Sequence, residues 1–192
     1  MLDLGIMMLA YLLGSIPTAL IVSHVVAGAD IRQLGDGNMG ARNVAHVLGW
    51  WPAIAVAFVD TTKGALAVLL SRAAGFGLDL QLVASACAVL GHDFPVLAGF
   101  RGGQGFATAV GTFFALMPVE TVIGLSVFGA VYLLTRRYNP SAGVGMALLF
   151  ALLVVEGRPV GVLAYVALAL VSVAAKKVLD LPRRRRVESH LR

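Results

Sequence analysis

The chain has 192 residues, 59% of them hydrophobic and 13% charged, with a mean hydropathy of +0.88, a formal net charge of +5 and one cysteine, Cys87. Soluble domains are about half apolar and about a quarter charged, so this composition excludes an ordinary soluble domain, a disordered chain and a disulfide scaffold. A membrane span takes about 20 residues; seven would consume ~140 and leave ~50 for loops and tails, too few for a sizeable extramembrane domain.

In chain order, apolar stretches predict seven spans near residues 4–26, 50–70, 80–98, 106–117, 121–134, 142–155 and 160–175. The first lacks a basic n-region and a small-residue cleavage site, and reads as a retained span. The fourth, fifth and sixth are short and are expected to borrow loop residues or thin the bilayer locally. With seven spans, one side collects Arg32, Arg42, Arg101, Arg136, Arg137, Lys176, Lys177, Arg183 to Arg186 and Arg192, and the other Arg72 and Arg158; Lys63 falls inside the second span. This 12-to-2 split puts the N-terminus outside and the C-terminus in the cytoplasm. The expectation is a single all-α membrane domain over 1–192 whose basic tail, 176–192, meets anionic lipid headgroups. The scattered cations argue against nucleic acid, and no motif has metal-ligand or redox spacing around Cys87. The chain is expected to act as a monomer.

Two glycine-rich loops fall on the cytoplasmic side. The first, Gly35-Asp36-Gly37-Asn38-Met39-Gly40-Ala41-Arg42-Asn43, matches G-x-G-x-x-G, but no soluble βαβ unit surrounds it, which excludes a dinucleotide fold. Its glycines still permit a backbone nest of N–H groups that holds phosphate, with Asn38, Asn43 and Arg42 adding polar side chains; a tight turn before a helix is the plainer alternative. The second loop runs from Gly91-His92-Asp93-Phe94-Pro95 to Gly99-Phe100-Arg101-Gly102-Gly103-Gln104-Gly105, with four glycines in its last seven residues. Arg101 beside Gly102 and Gly103 repeats the anion-site pattern; a helix-ending linker is the alternative. His92 either positions substrate and handles protons or packs structurally. Asp60 and Lys63 share a face of the second span as a structural ion pair or a substrate contact. Asn139-Pro140-Ser141 reads as a turn, where Ser141 either caps a helix or touches substrate. No serine-hydrolase elbow, zinc motif or P-loop occurs.

These loops, with Ala10-Tyr11-Leu12-Leu13-Gly14-Ser15-Ile16, Asp60-x-x-Lys63-Gly64 and Gly105-x-Ala107-Thr108, resemble the bacterial acyl-phosphate-dependent glycerol-3-phosphate acyltransferases, the PlsY family. The likeness covers nearly the whole chain. It implies seven spans in the bacterial plasma membrane, a cytoplasmic active site, no dissociable cofactor or metal, and transfer of a fatty acyl group from acyl phosphate to the 1-hydroxyl of glycerol 3-phosphate, or of another polyol phosphate. The expected catalytic set is Asp36, Asn38, His92 and Arg101. Substrate contacts are expected from Gly35, Gly37, Gly40, Arg42, Asn43, His46, Lys63, Gly102, Gly103, Gly105 and Ser141. The chain departs from the family pattern at Asp36 (usually Ser), Arg42 (Thr), His46 (Arg), Arg101 (Lys) and Gln104 (a cation). The family's His and Asn near the end of the last span give way to a stretch carrying Lys176, Lys177 and Asp180. An anion at 36 repels phosphate, and Arg42 restores a cation to the same loop. The other reading is a divergent homologue with a different acceptor, or a non-catalytic membrane protein that binds lipid, phosphate or a partner.

Overall fold

The structure, a computed structural model, describes residues 1–190; Arg192, at the end of the predicted basic tail, lies outside the described residues. The helices are α1 (Leu2–Gly14), α2 (Thr18–Ala27), α3 (Ala41–Leu48), α4 (Trp50–Ala73), α5 (Leu78–Asp93), α6 (Phe106–Leu116), α7 (Pro118–Thr135), α8 (Tyr138–Val155), α9 (Val160–Leu179) and α10 (Leu181–His190). Single 3₁₀ turns occur at Ile31–Gln33 and Val96–Ala98.

Among the described residues, six segments are long and apolar enough to cross a membrane: Leu2–Ala27, Trp50–Ala73, Leu78–Ala98, Pro118–Thr135, Tyr138–Val155 and Val160–Arg185. The sequence reading needs adjustment in four places. The first span is broken at Ser15–Pro17, because Pro17 lacks the N–H that would continue the helix ladder. The fifth and sixth spans are not short. Pro118 sits in the first turn of α7, where its missing N–H costs nothing. Pro140 likewise sits in the first turn of α8, so Asn139-Pro140-Ser141 is helix and not a free turn. Of the three spans predicted short, the fourth stays short among the described residues: α6 has 11 residues, about 16 Å of helix at 1.5 Å per residue.

Hydrocarbon solvates apolar side chains as well as protein does, so membrane helices associate through close backbone approach and polar contacts. Three glycine pairs provide it here. A Cβ on Gly14 of α1 would strike the Ala88 carbonyl of α5, and one on Gly91 of α5 the Tyr11 carbonyl of α1. Gly64 of α4 and Gly111 of α6 meet the Thr108 and Thr61 carbonyls in the same way, and Gly145 of α8 meets the Gly124 carbonyl of α7. A second kind of contact fills the space between α5, α6, α8 and α9: Phe113, Met117, Leu149, Leu153 and Val166 are buried together, and Thr112 Oγ1 lies 2.6 Å from Tyr165 Oη. Leu9, Leu12, Phe58, Leu133, Leu168 and Val171 stay exposed on the bundle's outside, as a lipid-facing surface requires.

Candidate active site

The first loop is organised by one side chain. Asn43, on α3 and 2% exposed, donates through Nδ2 to the carbonyls of Ile31 (3.3 Å), Leu34 (3.0 Å) and Asn38 (3.0 Å) and accepts through Oδ1 from the Asp36 N–H (2.9 Å). Its amide is spent inside the protein. It shapes the loop from within. Gly37 adopts φ +70, and a Cβ there would sit 3.1 Å from the Arg32 carbonyl oxygen and 3.2 Å from Val187 Cγ2 of α10. Glycine is thus required both by the turn and by the helix lying against it. Asp36 accepts from the Asn38 N–H (3.1 Å), and Arg42 donates to its other oxygen (3.0 Å).

Arg32 ties this loop to the second one. Its Nε and Nη2 hold Asp30 at 3.0 and 2.7 Å, while Nη1 donates to the Ala98 carbonyl at 3.0 Å. The Arg32 hydrogen bonds keep the Asp30 carboxyl below the usual carboxylate range, against the opposing effect of burial.

The second loop folds back on the end of α5. The Gly103 N–H donates to the His92 carbonyl at 3.1 Å. Cβ atoms at Gly102 and Gly103 would strike the His92 carbonyl and ring, and one at Gly105 would lie 2.7 Å from Asp93 Oδ1. These glycines serve close packing, so the expected nest of N–H groups is not formed at Gly103. His92 and Asp93 lie at the C-terminal end of α5, and both are buried. Asp93 Oδ2 accepts from Ser172 of α9 (3.1 Å).

Beneath the loops lies a buried polar cluster. Asp60 and Lys63 are 1% and 3% exposed, with Lys63 Nζ 2.8 Å from Asp60 Oδ1. Thr18 donates to the same oxygen at 3.0 Å, and His92 Nδ1 is 3.7 Å from it. Lys63 also donates to the Ile16 carbonyl (3.1 Å) in the break between α1 and α2, which accepts as well from the Thr18 N–H (3.0 Å). Lys63 is therefore a structural partner of the broken helix. A small cavity lined by Thr18, Met39, His92, Pro95 and Gly103 adjoins this cluster.

Above it opens a pocket lined by Asp36, Asn38, Arg42, Gln104, Lys177, Asp180, Leu181 and Arg184. Three chain regions converge there: the first loop with α3, the second loop, and the α9–α10 junction. Asp36 is paired with Arg42, and Asp180 with Lys176 (2.7 Å) and Arg183 (3.1 Å), so both carboxylates are balanced by named cations. Lys177 has no ion pair among the described residues, and Arg42 and Arg184 lie near enough to repel it. Asn38 is 8% exposed, and its Oδ1 is buried without a hydrogen-bond partner among the described residues.

Of the expected residues, Asp36, Asn38 and Arg42 line this pocket, with Gly35, Gly37 and Gly40 shaping the loop that carries them. Arg101, His46, Ser141 and His92, like Asn43, Lys63 and the glycines of the second loop, are not in its lining. Arg101 is exposed with no ion pair among the described residues, and His46 is exposed on α3. The Ser141 hydroxyl donates to the Arg137 carbonyl (2.6 Å), inside the first turn of α8. His92 packs between Asp60 and Gly103. Lys177, Asp180 and Arg184 were not foreseen as pocket residues; the sequence signal was the charged stretch after the last span, read as a lipid-facing tail.

Comparison with known proteins bears on this geometry. The family model described as glycerol-3-phosphate acyltransferase matches residues 4–180. A glycerol-3-phosphate acyltransferase of Thermus thermophilus is 43% identical over 155 residues, covering 80% of this chain and 76% of its own length. That of Clostridioides difficile is 40% identical over 156 residues, covering 78% and 76%. The crystal structure of PlsY (YgiH), an integral membrane glycerol 3-phosphate acyltransferase, in its glycerol 3-phosphate form superposes with a TM-score of 0.84 at 32% identity, covering 95% of this chain and 92% of that one. Its lysophosphatidic acid form gives 0.83 at 30% identity, covering 95% and 91%. The family model spans residues 4–180 and the superposition covers 95% of the chain, and the chain belongs to the glycerol-3-phosphate acyltransferase family.

Proposed function

We propose that the pocket binds glycerol 3-phosphate and transfers to its 1-hydroxyl the fatty acyl group of an acyl phosphate, giving lysophosphatidate and inorganic phosphate. The observation that carries this reading is the pairing of polar acceptors with cations in one pocket. Asn38 Oδ1, which has no partner among the described residues, and the Asp36 carboxylate are acceptors for the substrate hydroxyls, while Arg42 and Lys177 attract phosphate. Acyl phosphate is a mixed anhydride that carries its own activation, so the protein need not form a covalent intermediate. The hydroxyl oxygen bonds to the acyl carbon, the bond from that carbon to the phosphate oxygen breaks, and the hydroxyl proton passes by way of Asp36 to the departing phosphate. Holding two reactants together supplies much of the rate, and Arg42 stabilises charge on the leaving group.

Seven crossings with an external N-terminus fit the contacts. α4 and α6 cross at Gly64 and Gly111, and further along both helices Arg72 donates to the Ala115 carbonyl (2.8 Å). α6 thus travels beside α4 toward the opposite end of the bundle. There Arg158 pairs with Glu120 at the start of α7. α7 returns to pack Phe128 edge-on against Tyr138 and tilted against Phe106, beside Arg42. The basic-rich end is the pocket end, which the positive-inside rule assigns to the cytoplasm of a bacterial cell. The exposed Arg185 is available to lipid headgroups.

The donor identifies the reaction. Purified protein supplied in parallel with palmitoyl phosphate and palmitoyl thioesters, each with glycerol 3-phosphate, should consume the phosphate donor alone. Equal use of a thioester would contradict the proposal.

A further inference from the structure

The C-terminal helix packs on both glycine-rich loops, and one of its side chains touches the two at once. α10 begins at Leu181, just past the stretch matched by the family model. We propose that Arg183 of α10 is a positioning residue for the acyl transfer: it spans the first and second loops and sets the width of the pocket they share. The reaction that reports this rests on the acyl-transfer reading; the bridge between the loops does not.

Arg183 meets the first loop with its stem and the second with its head. Its Cγ is 3.8 Å from where a Cβ on Gly37 would sit, and its Nη2 donates to the Gly102 carbonyl at 3.4 Å. The same Nη2 pairs with Asp180 Oδ2 at 3.1 Å, which holds the guanidinium at the α9–α10 corner. One turn on, Val187 Cγ2 lies 3.2 Å from the same point at Gly37. Residues 183 and 187 share a helix face, so this face of α10 is the one seated on the loops.

The two glycines it touches are neighbours of pocket residues. Gly37 stands between Asp36 and Asn38, and Gly102 stands shortly before Gln104; Asp36, Asn38 and Gln104 line the pocket, and Arg183 does not. Neither glycine has room to yield. Gly37 is backed by the Arg32 carbonyl, and Gly102 by the His92 carbonyl and Pro95. A shift of Arg183 therefore passes to both loops and on to the pocket residues beside them. The loops are tied a second time where Arg32 donates to the Ala98 carbonyl at 3.0 Å. Without the Arg183 side chain that tie remains as a hinge, and Asp180 keeps its pair with Lys176. What is lost is the registration of the loops and not the fold. Reaction between two bound molecules is sensitive to such registration, since a misplacement of about 1 Å can cost about 100-fold in rate.

Full-length wild type, Arg183→Gln, Arg183→Lys, Val187→Ala and Arg185→Gln would be compared in nanodiscs. Three quantities would be read: amide hydrogen exchange over residues 34–40 and 99–105, the melting temperature, and steady-state acyl transfer. Arg183→Gln should speed exchange in both loops while melting as wild type does. It should lower kcat by about tenfold and change KM for glycerol 3-phosphate by less than about twofold. Arg183→Lys, a charged donor without the guanidinium fork, should recover part of the protection and part of the kcat. Val187→Ala should loosen the first loop alone, and Arg185→Gln should match wild type. Wild-type exchange in Arg183→Gln would overturn the proposal. So would a raised KM at unchanged kcat, the mark of an arginine that binds substrate itself, or activity that only tracks a lowered melting temperature in both Arg183 variants. Joint loosening of the loops in a protein whose wild type makes no lysophosphatidate would uphold the bridge while refuting the acyl-transfer reading.

Discussion

Arg42 donates to Asp36 across 3.0 Å, and both side chains line the same pocket. The arginine also lies over the Tyr138 ring, 5.7 Å from its centroid, so one cation joins the first loop to α8 and keeps the carboxylate from repelling substrate. Replacing Asp36 by Asn removes the proton acceptor and releases Arg42. The kcat should fall by about 100-fold or more, in the range for a lost general base, with no rise in KM for glycerol 3-phosphate. An unchanged kcat in steady-state assays would remove Asp36 from the reaction.

Asn43 should be intolerant of change for a reason distinct from chemistry. Asn43→Ala orphans the Asp36 N–H and three carbonyls. Each buried orphan costs about 1–3 kcal/mol, so the melting temperature should drop and activity disappear with it. A stable but inactive variant, with wild-type melting, would instead return Asn43 to direct substrate contact.

The Asp60–Lys63 pair makes a double-mutant prediction. Breaking a buried pair by removing one partner costs about 3–5 kcal/mol, whereas replacing both with apolar residues of similar size is often close to neutral. Lys63→Met and Asp60→Leu should each destabilise strongly, and the double variant less than the sum of the two. Additive losses in thermal unfolding would show that the two residues do not act as a pair.

Helix contact through glycine gives a cleaner stability test. Gly111→Ala puts a methyl group against the Thr61 carbonyl and 3.0 Å from the Ala65 nitrogen; overpacking of this kind costs about 1–3 kcal/mol. Gly143→Ala on α8 meets nothing within 4 Å and should be neutral or stabilising, by up to about 1 kcal/mol. Equal melting temperatures for the two variants would contradict the close α4–α6 packing.

The long apolar stretches carried most of the fold, since hydropathy over about 20 residues is a strong signal. Helix ends were less legible. Pro118 and Pro140 read as turn residues because a proline in the first turn of a helix looks locally like one between helices. Asp36, Asn38 and Arg42 were legible as pocket residues because short spacing within one loop keeps them together. The site's other wall was not. Lys177 comes from the last turn of α9, and Arg184 reaches the pocket as Arg183 and Val187 dock α10 on loops about 80 and 150 residues earlier in the chain, a tertiary event that a polar helix does not announce. Asn43 is a polar residue of the first loop in the sequence, but its inward orientation depends on the 3₁₀ turn at Ile31–Gln33 folding over it.

The central claim is that this pocket joins an acyl group to glycerol 3-phosphate. The most direct measurement incubates purified, lipid-reconstituted protein with palmitoyl phosphate and labelled glycerol 3-phosphate and counts labelled lysophosphatidate and released phosphate separately. The account predicts the two in equal amounts, with both lost in Asp36→Asn. Phosphate without labelled lysophosphatidate, or neither product, would contradict it.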